Sequence, residues 1–158
     1  MSAPSLPTDD FEARCRENFG RQQIMRTFGA ELTVIRPGYC EIEMPFNPAL
    51  TQQTGFMHAG VTATIADNAG GYAAYSLMPP DSEVLAVEFK INYLAPGIGD
   101  RLRAVARCLK CGRTLGINEI EVYGLVDGEA RLIAKMQQTT IRVDRKPGQA
   151  GAEDSIGG

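Results

Sequence analysis

The sequence predicts an α+β domain in which an antiparallel sheet of about five or six strands wraps around a central buried helix, with an N-terminal helix ahead of it. Three observations predict it. Residues 61–78, VTATIADNAGGYAAYSLM, are apolar or small almost all the way round, as a helix must be when other structure covers it on every side. The runs before and after that stretch alternate polar and apolar residues, the period of a strand. Turn pairs separate those runs, so neighbours in sequence can pair as neighbours in the sheet.

Taken in order, residues 1–8 (MSAPSLPT) are rich in Ser and Pro and read as a flexible leader. From Thr8 the capping pattern T-D-D-F-E opens a helical stretch to about Phe28, with Phe11, Cys15, Phe19, Ile24 and Phe28 on one side. Gly29 ends it. The runs AELTVIRP and YCEIEMPF flank Pro37-Gly38 and form a hairpin. In its second strand Cys40, Ile42, Met44 and Phe46 share one face, and Glu41 and Glu43 the other. A polar, turn-rich segment, NPALTQQTGFMHAG, leads into the buried helix. Inside that helix Gly70-Gly71 costs about 1 kcal/mol per glycine against alanine, so the pair marks tight packing. Pro79-Pro80 stops the helix.

Four strands follow: VLAVEFKINYLAP, RLRAVARCLKC, TLGINEIEVYGLV and ARLIAKMQQTTIRV, punctuated by Pro96-Gly97, Gly112 and Asp127-Gly128. Asp-Gly between alternating runs is a strong hairpin signal. The tail 144–158, DRKPGQAGAEDSIGG, has almost no apolar residues and is expected to be disordered. One domain, residues 9–143, is therefore expected between the leader and the tail. Its sheet edges and helix end stay partly uncovered, which favours self-association.

Composition narrows the partners. A net charge of -3 and a pI near 5.2 give no basic face for nucleic acid or an anionic membrane surface. No apolar run reaches the roughly 20 residues that span a bilayer. The polar, acidic start argues against a secretory signal, so a cytoplasmic setting is the default. Cys108-Leu-Lys-Cys111 has CxxC spacing. A zinc site would need two more ligands, and only His58, Cys15 and Cys40 are on offer. A redox pair opens a helix, whereas this one ends a strand. Ordinary reduced cysteines, and no metal, are the expectation.

The run Gly55-Phe56-Met57-His58-Ala59-Gly60, followed by Asp67-Asn68 inside the next helix, resembles the hotdog thioesterases of the PaaI type. Asn92-Tyr93-Leu94-Ala95-Pro96 and the turn Lys110-Cys111-Gly112-Arg113-Thr114 fit the same pattern, and the likeness covers about residues 20–143. The resemblance implies a hotdog fold, hydrolysis of acyl-CoA to free acid and CoA, no cofactor beyond the CoA of the substrate, and a homodimer that pairs into a dimer of dimers. Asp67 would be general base or nucleophile, and the amide of Ala59, with Gly60 beside it, the oxyanion donor. Gln52, or its neighbour Gln53, would help hold the thioester or the water. His58 would be a general base or, more simply, a residue that shapes the loop. Lys110, Gly112, Arg113 and Thr114 would contact CoA, the two cations meeting its phosphates. Ala86 stands where some members of the family carry a hydroxyl, so water positioning would fall to Gln52 or Thr64.

Chemistry independent of the resemblance points the same way. A tetrahedral oxyanion needs aimed N–H donors, and a helix start has them unpaired. Asp67 within the apolar run IADNAG is costly without a purpose. Eight residues of helix put Ala59 and Asp67 about 12 Å apart, too far for both to reach one carbonyl carbon. The site should therefore combine two chains. The alternative function is a non-catalytic acyl-CoA binder or sensor on the same fold. A hotdog hydratase would want a His paired with a carboxylate in a different loop pattern.

Overall fold

The computed structural model describes residues 10–145. The expected leader and the tail beyond Arg145 lie outside the described residues.

The N-terminal helical stretch is two helices, not one. α1 spans Phe11–Gly20 and α2 spans Gln23–Phe28. Asp10, rather than Thr8, caps α1: its carboxylate accepts from the Ala13 amide at 3.1 Å. Gln22 is extended between the helices and breaks the period that would have continued to Phe28. Gly29 ends α2 in the left-handed conformation (φ 63°), its amide and that of Ala30 closing back on Arg26 and Met25, an end that glycine takes without a side-chain penalty.

β1 (Glu31–Arg36) and β2 (Tyr39–Pro45) form the expected hairpin over Pro37-Gly38. Cys40, Ile42 and Met44 are buried, but Phe46 lies past the strand end and is exposed. Here the chain leaves the sheet, and the Phe46 amide bonds to Asp100 O instead. A single 3₁₀ turn, Pro48–Leu50, leads to the central helix α3, Ala59–Tyr75. Of its two adjacent glycines, only Gly70 is tightly packed; nothing stands within 4 Å of where a Gly71 Cβ would be.

β3 (Ser82–Tyr93), β4 (Arg101–Cys111), β5 (Leu115–Val126) and β6 (Glu129–Asp144) complete a six-stranded antiparallel sheet in the order β1-β2-β4-β5-β6-β3. Asp127 and Gly128 both have positive φ (49° and 82°) in the β5–β6 turn, the type I′ signature that Asp-Gly predicts. The sheet curls round α3, whose Ile65, Ala66, Ala69 and Ala73 are completely buried against Ile42, Leu102, Ile120 and Met136. Small residues allow this closeness: a Cβ on Gly116 would meet the Thr140 hydroxyl at 2.6 Å and Ala74 at 3.2 Å.

β3, the last strand in the sheet order, has one unpaired edge along its whole length. Leu85, Val87, Phe89 and Tyr93 stand exposed on it, Leu85 at 55%. Val87 is an extra residue against β6, bulging the strand between Ala86 and Glu88. No helix among the described residues is long and apolar enough to cross a membrane.

Candidate active site

α3 carries both halves of the expected site, at different places. His58 is the N-cap, extended at φ −61° and ψ 139°, with Nδ1 accepting the Gly60 amide at 2.9 Å. That bond consumes the Gly60 N–H and holds the loop against the helix. The Ala59 amide, first in the helix, has no acceptor among the described residues. It is the open donor at a helix start, where the backbone dipole adds positive charge. Tyr93 Oη donates to Ala59 O at 2.8 Å, tying the start of α3 to the far end of β3.

Ala59 and Tyr93 border a cavity of about 430 Å³ together with Gln52, Met57, Thr62 and Leu94. Gln52 faces it and Gln53, which is exposed, does not. The loop is built from its backbone: Gln52 N bonds Phe56 O, Met57 N bonds Gly97 O and His58 N bonds Leu50 O. The Gln52 amide also bonds within the turn, its oxygen accepting from Thr54 N at 2.8 Å and its nitrogen donating to the Thr54 hydroxyl. Thr64 donates back to Gly60 O at 2.8 Å, within its own helix.

Asp67 lies two turns further on and faces a separate cavity of about 180 Å³, bordered by Asn18, Gln22, Tyr72, Ala86, Gln138 and Thr140 among others. The two cavities share no residue. Asp67 Oδ1 accepts from Gln138 Nε2 at 2.7 Å, and the same nitrogen bonds Asp67 O at 2.9 Å. Oδ2 has no protein partner among the described residues. Burial raises the carboxyl above its ordinary value, and the Gln138 hydrogen bond works against that rise. Ala86 is in the wall of the same cavity. Tyr72 and Tyr75 are core residues; Tyr72 Oη joins the Asp67 cavity to α1 and α2 by donating to Asn18 and accepting from Gln22, both at 2.8 Å.

Gly112, Arg113 and Thr114 form the exposed β4–β5 turn, whereas Lys110, expected in that turn, is an exposed residue of β4 itself, paired with Ile117. Gly112 N bonds Leu115 O, and Thr114 O accepts from Arg142 N. None of the four borders either cavity of the same chain. Leu109 bulges out of β4 and brings Cys108 and Cys111 to one face of the strand. The Cys111 thiol is drawn down to about 7, chiefly because Cys108 donates to it. Among the described residues no three His, Cys, Asp or Glu side chains gather as a metal site.

Gln138, Asn118 and Thr140 were not anticipated as site residues. All three are buried and polar on strand faces whose other buried members are apolar or small. That mismatch in GINEIEV and KMQQTT is the signal that marks them.

Residues 54–130 match the model of the thioesterase superfamily. A thioesterase family protein from Silicibacter pomeroyi is 44% identical, with a TM-score of 0.83 over 85% of this chain and 98% of that one. The chain belongs to the thioesterase superfamily. The SSO1253 protein of Saccharolobus solfataricus is 31% identical over 121 residues, 77% of this chain and 78% of that protein. The 1,4-dihydroxy-2-naphthoyl-CoA hydrolase of Listeria monocytogenes is 24% identical over 123 residues, 78% of this chain and 97% of that enzyme. The PaaI protein of Escherichia coli, at 20% identity, shares the hotdog fold (TM-score 0.76 over 86% of this chain and 95% of that one). This superfamily member thus carries a hotdog sheet round a helix that holds an open amide at its start and a half-buried carboxylate two turns on.

Proposed function

We propose that the protein hydrolyses acyl-CoA thioesters in a homodimer, with Ala59 of one chain and Asp67 of the other completing each site. One observation carries the reading: the oxyanion donor and the carboxylate stand on one continuous helix, in cavities with no shared wall. β3 offers the way to unite them. Its Tyr93 end borders the Ala59 cavity and its Val84–Ala86 end borders the Asp67 cavity. Antiparallel pairing of this unpaired edge with its own copy, about a two-fold axis near mid-strand, lays the first end against the second. It also covers Leu85, Val87 and Phe89, an apolar edge that is a liability if left open.

In that site the thioester oxygen accepts from the Ala59 N–H. Asp67 Oδ2, the oxygen not held by Gln138, either takes a proton from water as hydroxide attacks the carbonyl carbon, or attacks the carbon itself. The tetrahedral intermediate collapses with cleavage of the C–S bond, and the CoA thiolate leaves and takes up a proton. In the direct route the acyl-Asp67 anhydride is then opened by water. Gln52 and Tyr93 border the place of the acyl carbonyl, and the Lys110–Thr114 segment would meet CoA from outside the cavities. An aromatic acyl group is the first class to try, since the Listeria relative is named for a naphthoyl-CoA. A cytoplasmic setting, where acyl-CoA is made, goes with this reading.

The test uses two chains that are each inactive. Asp67→Asn removes the carboxylate and should lower release of free CoA thiol from benzoyl-CoA or hexanoyl-CoA by about 10²–10⁴-fold. Ala59→Pro removes the donor N–H at a helix position where proline fits, after a residue already extended. Purified heterodimers of the two should regain about half of wild-type turnover, from one intact site of two. Wild-type turnover in Asp67→Asn, or inactive heterodimers, would overturn the proposal. Tight acyl-CoA binding without turnover in the wild-type protein would favour a sensor instead.

A further inference from the structure

Beneath Asp67 lies a pair of buried amides whose hydrogen bonds run in series from Asn118 through Gln138 to the carboxylate. Asn118 on β5 is fully buried and Gln138 on β6 is 1% exposed. Asp67 can only accept when ionised, so the Gln138 amide must present its NH₂ to the carboxylate. Its oxygen then faces into the sheet, where Asn118 Nδ2 donates to it at 3.0 Å. Asn118 Nδ2 also reaches the Thr140 hydroxyl at 3.4 Å. Asn118 Oδ1 is left buried without a partner, and turning that amide over would set oxygen against oxygen at Gln138. An unpaired buried acceptor is costly. Here it is retained in the orientation that keeps the Gln138 donors aimed at Asp67.

The helix is shaped to admit this arrangement. A Cβ on Gly70 would lie 2.1 Å from Gln138 Oε1 and 3.1 Å from its Cδ. The position is therefore empty of side chain where the Gln138 amide crosses from sheet to helix. Gln138 grips both the main-chain oxygen and one carboxylate oxygen of Asp67, which fixes the side-chain torsion and leaves Oδ2 alone to face the cavity.

We propose that Gln138, oriented by Asn118, is the positioning residue for Asp67: it fixes which carboxylate oxygen meets the reacting centre. This rests on Asp67 being the reacting carboxylate. Serial donors polarise one another in a dry interior, so the pair acts as one device.

The experiment measures kcat, KM and the pH profile of benzoyl-CoA hydrolysis for wild type, Gln138→Met and Gln138→Glu, with folding checked by circular dichroism. Gln138→Met conserves volume and removes the donor. Its kcat should fall about 10–100-fold with KM within about threefold, and the acidic limb of kcat should move up by on the order of one pH unit, as for loss of a hydrogen bond to a charged group. Gln138→Glu keeps the Asn118 contact and sets a second carboxyl against Asp67, so the limb should move further up. If Gln138→Met does not fold, Gln138→Glu decides. Loss of kcat with an unmoved limb in a folded variant would show a structural role only and overturn the inference. So would wild-type kinetics in either. Asp67→Asn separates the two levels: if it is inactive while the Gln138 variants behave as wild type, only the positioning role fails, whereas an active Asp67→Asn removes the reading beneath it.

Discussion

Replacing Gly70 by alanine tests the packing beneath Asp67 without touching a polar group. In an isolated helix the change would stabilise, by about 1 kcal/mol of propensity. In this helix the new methyl would lie 2.1 Å from Gln138 Oε1, 3.0 Å from Ile120 Cδ1 and 3.1 Å from Gln138 Cδ. The Gln138 amide must withdraw or the helix must lift off the sheet. Withdrawal breaks the two bonds to Asp67 and the one from Asn118. Overpacking costs about 1–3 kcal/mol, and each buried polar group left unpaired about 1–3 kcal/mol more. With one such group left unpaired and the gain in propensity subtracted, the net expectation is a loss of about 1–5 kcal/mol.

Gly71 supplies the control on the same helix. No atom comes within 4 Å of its Cβ position, so Gly71→Ala should gain up to about 1 kcal/mol from propensity alone. Urea titrations followed by circular dichroism at 222 nm, all at one chain concentration because a dimer is expected, give both values. The two substitutions, one residue apart, should shift the midpoint in opposite directions. A Gly70→Ala protein as stable as Gly71→Ala would refute the claim that Gln138 fills the Gly70 site, and with it the reason given for that glycine.

Two further outcomes are expected. Asp67 is a carboxyl raised by burial, so the folded state holds its proton more tightly than the unfolded chain. Stability is lost as pH rises from the ordinary value of 3.8 through the raised one. Asp67→Asn should therefore be the more stable protein near neutrality in thermal denaturation, with the difference closing below about pH 4; a constant difference across pH would contradict the burial effect. Cys111, drawn down to about 7 by its neighbour Cys108, should be the first thiol alkylated by iodoacetamide at pH 8, while Cys15 and Cys40, fully buried, resist. Peptide mapping that finds Cys40 labelled first would contradict it.

Much of the fold was legible because each element has a local cause. The Asp127-Gly128 turn, the Pro37-Gly38 hairpin and the all-round apolar central helix depend on residues a few positions apart. What failed locally was the break at Gln22, signalled by the Gly20 on which α1 ends but overridden by the helical period, and the exposure of Phe46, whose alternation continues after the ladder has ended. The family pattern reached His58, Ala59 and Asp67 because these lie in one short stretch of sequence. It favoured Gln52 over Gln53 only by spacing from His58, and the course of the loop puts Gln52 on the cavity wall. It also did not reveal that His58 spends its Nδ1 on Gly60 and so leaves Ala59 as the open donor.

The residues that escaped notice share one property: their meeting depends on sheet register. Asn118 and Gln138 are 20 residues apart and meet because β5 and β6 pair in a register that sets them side by side. Gln138 is a further 71 residues from Asp67. Polarity at a position of apolar alternation marks each as anomalous, but only the pairing shows that the anomalies are one chain of donors ending at a carboxylate. The same reasoning extends to the glycine. Gly70-Gly71 reads as a uniform weakness in a helix, and the two residues are interchangeable on propensity. Contact separates them: one is glycine because an amide from the sheet must pass there, and the other borders open space beside the carboxylate that the amide holds. A helix that tolerates this cost at the one place where the Gln138 amide crosses to Asp67 is shaped there by a polar contact as much as by the core.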